Sequence, residues 1–394
     1  MAINKNIILN HLDSAFDSFA RDSSDALELL QLIDAVKSIS PWQDRGSIKL
    51  YDSIGGLPLD SNLEGMTAVI QSFGSNNGLY LNTGATWELL LDFDSDRPVF
   101  PGTTFGFTSG GNDGANRITN IDKFSFSTEG TATDHGDLNT ARNNIAGNSS
   151  KSDGYVAGGN PGLTSIEKFS FSGTAVSSTL VGDISKNIYS QGAASTEYHG
   201  YLSSLGDGPI STFGHLEKFR FSSDVTGIHS ADLAVNASYY ARTGHSSSSH
   251  GYFSGGYYVG YRTNIERFPF SNDNNSVLVG NISPARAYAA GQSSLTHGYT
   301  SGGITLSPIS PRRNEIDKWS FANDTTSSSN VGTLDTARSS SAGVSSTTNG
   351  YTMGGSEPIV SRLVDKFPYA NPFVSAIDVG DLFIAKSTHA GHQV

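Results

Sequence analysis

A glycine followed by an aromatic residue recurs at nearly even intervals through the last three-quarters of the chain. The six pairs are Gly106-Phe107, Gly154-Tyr155, Gly200-Tyr201, Gly251-Tyr252, Gly298-Tyr299 and Gly350-Tyr351, and they lie 46 to 52 residues apart. A double glycine such as Gly158-Gly159 follows shortly after most pairs, whereas the third copy has Ser203-Ser204 there. Self-similarity at a period of this length is the signature of a repeat architecture.

A second repeated segment carries an acid, a base and then two aromatic residues at i and i+2. It reads IDKFSFS from Ile121, IEKFSFS from Ile166, LEKFRFS from Leu216, IERFPFS from Ile265, IDKWSFA from Ile316 and LVDKFPYA from Leu363. A spacing of two places both rings on one face of a strand, so six such strands can supply rings to the layers between neighbouring sheets. With a VGDIS-like and a TARNNIAGNSS-like segment added, each unit holds four short strands, which predicts six blades.

The order of these segments resembles that of kelch repeats over residues 101–394: a strand that begins near arginine, a strand that ends in double glycine, and the aromatic strand. The resemblance implies a mainly β fold, a six-bladed β-propeller around a central channel. Some propellers of the kelch type oxidise sugars at a copper site with a cysteine-linked tyrosine. This chain has no cysteine, so that chemistry is excluded.

The two ends of the repeat region predict how the ring closes. A connecting segment at residues 384–391 has no Gly-aromatic pair after it, and the first pair, at Gly106, has no such segment before it. We therefore expect residues 386–394 to pair beside Phe105–Ser109 and to complete the first blade, which removes an open sheet edge.

The first hundred residues differ from the repeats. Residues 1–42 carry apolar side chains at helical spacing and predict a helical docking segment, with Ile8, Leu12, Phe16 and Phe19 as the docking residues. Residues 43–100 predict a small β-module, because Ile48/Leu50, Ala68/Ile70 and Leu79/Leu81 alternate and Asn76-Asn77-Gly78 is typical of a hairpin turn.

The run LYLNTGATWELL, residues 79–90, resembles a small module of bacteriophage tail and fibre proteins, in which a strand, a turn of small residues and a tryptophan strand follow a segment like GMTAVI. The resemblance covers about 45 residues. It implies a virion structural protein, such as a tail or neck fibre, spike or decoration, oligomeric on the particle. Its partners would be other virion proteins through the N-terminal region and, through the propeller, a host-surface glycan or protein.

Charge and composition limit the other functions. The net charge of −12 disfavours binding to nucleic acid or anionic membranes. No run of 18 apolar residues is present, and Asp13 and Asp17 interrupt the N-terminal apolar pattern, so we expect no membrane insertion and no signal peptide. We therefore expect a protein assembled in the host cytoplasm and located in the virion. No nucleophile, metalloprotease or P-loop motif occurs, so we expect no enzyme, no catalytic residue and no cofactor.

Several polar residues recur with the repeat and are expected to be structural. They are the histidines before the repeat glycine, His199, His250 and His297, and the acids of the aromatic strands, Asp122, Glu167, Glu217, Glu266, Asp317 and Asp365. The six carboxylates could instead ring the channel and bind cations, although pairing with the neighbouring lysine or arginine, or with exposed backbone, is favoured. Asp92, Asp94 and Asp96 resemble the start of a calcium loop, but Arg97 stands where glycine is needed, so we expect no metal site.

The loops after the double glycines vary, and the scaffold does not require their residues. Tyr257, Tyr258, Tyr261 and Arg262 form the densest cluster, and tyrosine and arginine are typical of binding sites. We take them as the candidate ligand-binding residues, on loops that should emerge on one face. A cellular kelch-type interaction module and a glycan-active enzyme remain alternatives; the enzyme would need converging carboxylates, and Asp207 is nearly the only one in these loops.

Overall fold

The computed structural model describes the β-strands of the first hundred residues and most of the repeat region. The described residues are 49–51, 67–70, 78–82, 87–92, 102–186, 192–204, 214–221, 226–234, 240–271, 273–305, 311–322, 326–370 and 375–394. The chain divides into two compact units, Met1–Ser95 and Asp96–Val394. The predicted docking residues Ile8, Leu12, Phe16 and Phe19 lie outside the described residues, as do Asp94 and Asp96.

The first unit contains a four-stranded sheet. Its strands are β1 (Lys49–Tyr51), β2 (Thr67–Ile70), β3 (Gly78–Asn82) and β4 (Trp87–Asp92), in the order β1-β2-β3-β4. β1 and β2 are parallel, and the other two pairs are antiparallel. The strands predicted from the alternating apolar residues are therefore present, and β3 and β4 form the predicted pair that ends in the tryptophan strand.

The second unit is a β-propeller, whose described strands form six sheets of the same plan. From the innermost strand outward, blade 1 contains β32 (Ala390–Gln393), β5 (Phe105–Ser109), β6 (Asn120–Ser125) and β7 (Thr133–Asp137). Blade 2 contains β8 (Ala146–Ser149), β9 (Asp153–Ala157), β10 (Ser165–Ser170) and β12 (Thr179–Asp183). Blade 3 contains β13 (Ala193–Ser195), β14 (His199–Ser204), β15 (His215–Arg220) and β16 (Ile228–Asp232).

The remaining three blades repeat this order. Blade 4 contains β17 (Thr243–Ser246), β18 (His250–Ser254), β19 (Asn264–Pro269) and β20 (Val277–Asn281). Blade 5 contains β21 (Ala290–Ser293), β22 (His297–Ser301), β23 (Glu315–Ser320) and β25 (Ser329–Thr333). Blade 6 contains β26 (Ala342–Ser345), β27 (Asn349–Met353), β30 (Leu363–Pro368) and β31 (Ile377–Asp381).

Four short strands complete the described set. β11 (Val176–Ser177) and β24 (Thr326–Ser327) pair in parallel with the outer strands of blades 1 and 4, and β28 (Ser356–Glu357) and β29 (Ile359–Val360) form a small hairpin. Since β11 and β24 come from the blade that follows, they join neighbouring blades at their outer edges. Among the described residues, no helix has the length and apolar character needed to cross a membrane.

The predicted closure of the ring is confirmed. β32 pairs antiparallel with β5, with Ala390 opposite Ser109 and Gln393 opposite Gly106. The Val394 carbonyl accepts hydrogen bonds from the backbone N–H groups of Thr103 and Thr104, at 2.8 Å each. The last described residues therefore supply the innermost strand of the blade with which the repeat region begins.

The aromatic residues of the two repeated segments pack between blades, as predicted. The ring of each Gly-aromatic pair lies against the second ring of the aromatic strand in the next blade, with centroids 4.5 to 5.1 Å apart. The six pairs are Phe107–Phe171, Tyr155–Phe221, Tyr201–Phe270, Tyr252–Phe321, Tyr299–Tyr369 and Tyr351–Phe126. The glycine of each pair is needed because the first ring of the aromatic strand in the same blade lies against it. A Cβ on Gly154 would sit 2.4 Å from Phe169.

Candidate binding face

One end of the propeller, which we call the loop face, carries the loops that follow the double glycines. Each of five loops forms a β-bridge with the connector that leads into the innermost strand of its own blade. The bridges are Asn112–Ser387, Asn143–Asn160, Tyr240–Tyr257, Ala287–Ile304 and Ser339–Ser356. The described loops therefore emerge on one face, as expected. The opposite end, the turn face, carries the tight turns between the innermost and second strands.

The six innermost strands contact one another around the axis and leave little space between them. Glycine occupies the central position of five of these strands, at Gly147, Gly244, Gly291, Gly343 and Gly391, and blade 3 has Ala193 there. A Cβ on Gly343 would lie 2.1 Å from the Gly291 carbonyl oxygen, so the close approach of these two strands requires glycine at position 343. The channel is consequently narrow at its middle.

A closed belt of hydrogen bonds joins the innermost strands on the turn-face side of the glycines. In each strand a backbone N–H donates to a side-chain oxygen in the next blade, at 2.7 to 3.2 Å. The members of this serine belt are Ser149, Ser195, Ser246, Ser293, Ser345 and Gln393. Because the belt passes through all six blades, it fixes their number and spacing.

A second belt, which we call the left-handed belt, surrounds the mouth of the channel on the loop face. Its described members are Asn144, Ala241, Tyr288, Ser340 and Thr388, all in the left-handed region with φ of 54° to 59°. Four of the five donate a backbone N–H to the carbonyl of the equivalent residue in the preceding blade, at 2.8 to 3.1 Å. Non-glycine residues in this region cost energy and require firm support from their surroundings. The belt supplies that support around a recess of about 130 Å³.

Four tyrosines cluster beside this mouth. Tyr240 lies 5.4 Å from Tyr257 and 6.4 Å from Tyr288 between ring centroids, and Tyr257 meets Tyr261 edge-on at 5.0 Å. All four side chains are half-buried. Burial raises the pKa of Tyr240 and of Tyr288, and the neighbouring tyrosines raise them further, so both hydroxyl groups stay protonated near neutral pH.

The tip of the same loop projects to solvent. Tyr258 is 36% exposed and Val259, which also has a positive φ, is 84% exposed. Arg262 Nη2 donates to the Tyr258 carbonyl at 2.9 Å, which ties the base of the loop to its tip. A rigid group of phenol rings with a cation nearby offers flat apolar faces and hydroxyl donors, the combination that suits a sugar or another partly apolar ligand.

The structure therefore brings together two of the four predicted ligand residues. Tyr257 and Tyr261 belong to the ring cluster, whereas Tyr258 lies at the tip and Arg262 supports the loop. The sequence interpretation missed Tyr240 and Tyr288, which come from two connectors. The sequence did offer an indication, since Tyr288 occupies a position at which the other described blades have asparagine, alanine, serine or threonine.

The acids of the aromatic strands are buried inside the blades, and none lines the channel recess on the loop face. Five of them form ion pairs with a cation from the connector: Glu167–Arg142, Glu266–Arg242, Asp317–Arg286, Asp365–Arg338 and Asp122–Lys386. Glu217 of blade 3 accepts hydrogen bonds from the Ser185 backbone N–H and hydroxyl. These acids are therefore structural, as favoured. In the five ion pairs, however, the partner is a cation far away in the sequence and not the base that follows the acid in the strand.

The periodic histidines lie at the turns of separate blades. His250 Nδ1 lies 2.8 Å from the Ser249 hydroxyl, and His297 Nδ1 lies 2.8 Å from the Thr296 hydroxyl. Each histidine ring also lies close to the ring of the tyrosine two residues later in the chain. In His199–Tyr201 the ring centroids are 6.3 Å apart. These histidines therefore belong to the blade scaffold.

The fold and the loop face together define a six-bladed β-propeller with a recess at one mouth of its channel and a tyrosine cluster beside that recess. In comparisons with models of known protein families and with curated proteins, this chain matched none of them.

Proposed function

We propose that this chain is a bacteriophage virion structural protein whose propeller is the binding head, and that the loop face contacts a ligand on the host surface. The tyrosine cluster beside the channel mouth is the observation that carries the binding role. The virion role is supported by the resemblance of residues 79–90 to tail and fibre modules and by the kelch-like repeat that follows them.

The path of the chain supports a head that presents its loop face outward. Gly102 N–H donates to the Ser345 carbonyl at 2.8 Å on the turn-face side, and Val394 follows β32 on the same side. The propeller is thus entered on the turn face, opposite the tyrosines.

The chemistry of the cluster favours a neutral glycan. Tyrosine rings present a large contact area with little conformational entropy to lose, and their hydroxyl groups donate to sugar oxygens. Because Tyr240, Tyr257, Tyr261 and Tyr288 come from three segments fixed by backbone bridges and the left-handed belt, the rings are held before a ligand arrives. Preorganisation of this kind reduces the cost of binding.

A glycan array probed with the full chain tests the binding role. We expect Tyr257→Ala and Tyr261→Ala to weaken binding about tenfold or more, the usual cost of removing a central aromatic contact. Phe383→Ala is the matched control, because Phe383 is an aromatic residue of the loop face in another connector and is 45% exposed. Binding that survives both tyrosine replacements would discard this site.

The virion role needs a separate test. Mass spectrometry and imaging of purified phage particles should detect this chain in repeated copies. A chain found only free in cells, with its loop-face binding intact, would favour a cellular kelch-type interaction module over the virion protein.

A further inference from the structure

Two histidines and an aspartate converge on the outer strand pair of blade 3. The potential ligand atoms of His215, His229 and Asp232 all lie within 4.8 Å of one another. His229 Nε2 lies 3.1 Å from Asp232 Oδ1, and the two imidazole rings face each other with centroids 4.2 Å apart. His229 is exposed, while the other two side chains are half-buried, so the group is open to solvent.

A β-bulge brings these residues to one side. Residues three apart on a regular strand point to opposite faces. In β16 the register shifts, so that His215 pairs with Asp232, Leu216 with Ala231, and Glu217 with His229, and Ser230 is left over. The extra residue turns the His229 side chain toward Asp232.

The same bulge occurs in all six blades, but the histidines do not. The equivalents of His215 are Asn120, Ser165, Asn264, Glu315 and Leu363. The equivalents of His229 are Asp134, Leu180, Leu278, Asn330 and Asp378. Since five blades form the same strand pair without either histidine, the scaffold does not explain why blade 3 has both.

The partner of Asp232 also differs from its equivalents. In blades 1, 2 and 4 a threonine before the third strand donates its hydroxyl to the outer strand, as Thr164 does to Asp183 at 2.7 Å. Blade 3 has Gly214 at this position, which offers no hydroxyl. The Asp232 carboxylate is directed to His229 instead.

We propose that His215, His229 and Asp232 bind a divalent transition-metal ion of the Zn²⁺ class, with a fourth position open to water. Two imidazoles and one carboxylate suit Zn²⁺, whose bonds of about 2.0–2.1 Å place tetrahedral ligands about 3.3 Å apart. The separation of His229 and Asp232 is already close to that value. Because the two imidazole rings are stacked, the His215 ring has to turn about its side-chain bonds to direct a nitrogen at the same ion, and its partial exposure leaves room for that turn.

Calorimetric titration of the full chain with ZnCl₂, without a histidine tag and after chelator treatment, tests the site. We expect one ion to bind per chain. His229→Leu and His215→Ser should each weaken binding about tenfold or more, because removing a ligand costs at least as much as removing its outer-shell support. Both replacements use residues that blade 2 already has at these positions, so the variants should fold.

His250→Asn is the matched control, because it removes an unrelated half-buried histidine at a position where blade 6 has Asn349. It should bind Zn²⁺ as the unmodified chain does. The unmodified chain should also melt at a higher temperature with Zn²⁺, and His229→Leu should not. Absence of Zn²⁺ binding, or equal binding by the two site variants and the unmodified chain, would overturn the proposal.

Discussion

Lys386 Nζ lies 3.3 Å from Asp122 Oδ2, and both side chains are buried in blade 1. Lys386 also donates to the Asn120 side-chain oxygen at 2.8 Å. Burial lowers the pKa of Lys386 and raises that of Asp122, while the attraction between the two charges opposes both changes. This ion pair therefore couples the last connector of the chain to the first aromatic strand.

Replacing Lys386 with methionine should strongly destabilise the propeller. Asp122 would be left buried without its cation, which costs about 3–5 kcal/mol in comparable cases. Denaturant unfolding of the purified variant measures the loss. The double variant Asp122→Asn/Lys386→Met removes both charges and should recover most of it; a single variant that unfolds at the same denaturant concentration as the original chain would contradict the prediction.

Removal of the residues after Leu382 should abolish cooperative unfolding of the propeller. The truncation deletes β32 and Lys386, exposes the edge of β5 and breaks the serine belt at Gln393. Thermal melting followed by circular dichroism checks this, and a peptide of residues 383–394 added separately should restore part of the transition. A truncated chain that melts like the full one would refute closure by this strand.

The axial glycines should not tolerate a methyl group. A Cβ on Gly343 would overlap the Gly291 carbonyl, and overpacking of this kind costs about 1–3 kcal/mol or more. Gly343→Ala should therefore lower the free energy of unfolding by about this amount. Gly260→Ala is the control, because no atom lies within 4 Å of its Cβ position, and an equal loss in both variants would show that crowding at the axis is not the cause.

Acid should destabilise the propeller between about pH 6.5 and 4. Burial lowers the pKa of His245 and of His392 to about 4, and each ring bonds to a carbonyl in the next blade. In this interval the unfolded chain binds more protons than the folded one, so stability falls as the pH falls, by roughly 3 kcal/mol for each histidine, and no further below pH 4.

The double variant His245→Gln/His392→Gln tests this pH dependence. Blade 5 already has Gln292 at the equivalent position, so glutamine fits the site. Unfolding free energies measured from pH 7 to 4 should fall less steeply in the variant, with a remainder from other groups such as His389, whose pKa burial also lowers. Equal slopes in the two proteins would exclude these histidines as the source.

The repeat made the propeller, its blade number and its closure predictable. Glycine, paired aromatic residues and a missing segment at each end all leave a periodic pattern in the sequence. The belts left no readable sign, because whether the hydroxyl of Ser149 faces water or the next blade depends on its distance from the axis. The left-handed backbone conformation of Tyr288 could not be predicted either, because no glycine stands at that position to indicate it.

The candidate site was predictable only in part. Tyr257 and Tyr261 stand in one short loop, so composition alone singled them out. Tyr240 joins them through a β-bridge within blade 4, and Tyr288 joins them from blade 5 through the curvature of the ring; no local pattern encodes either contact. His215, His229 and Asp232 come together through a one-residue bulge, and a simple alternating pattern would have placed two of them on opposite faces.

Blade 3 is the member that departs most from its neighbours. It has Ala193 where the others have glycine at the axis, Ser204-Leu205 where the strand register of the others has a double glycine, and Gly214 where three have threonine. Because blade 3 lacks features that the other blades share, we expect it to unfold locally before them. Its amide hydrogens should therefore exchange with solvent before those of the other blades. A metal ion bound between β15 and β16 would oppose the local opening of blade 3. The stability of the closed ring would then depend on the metal concentration around the protein.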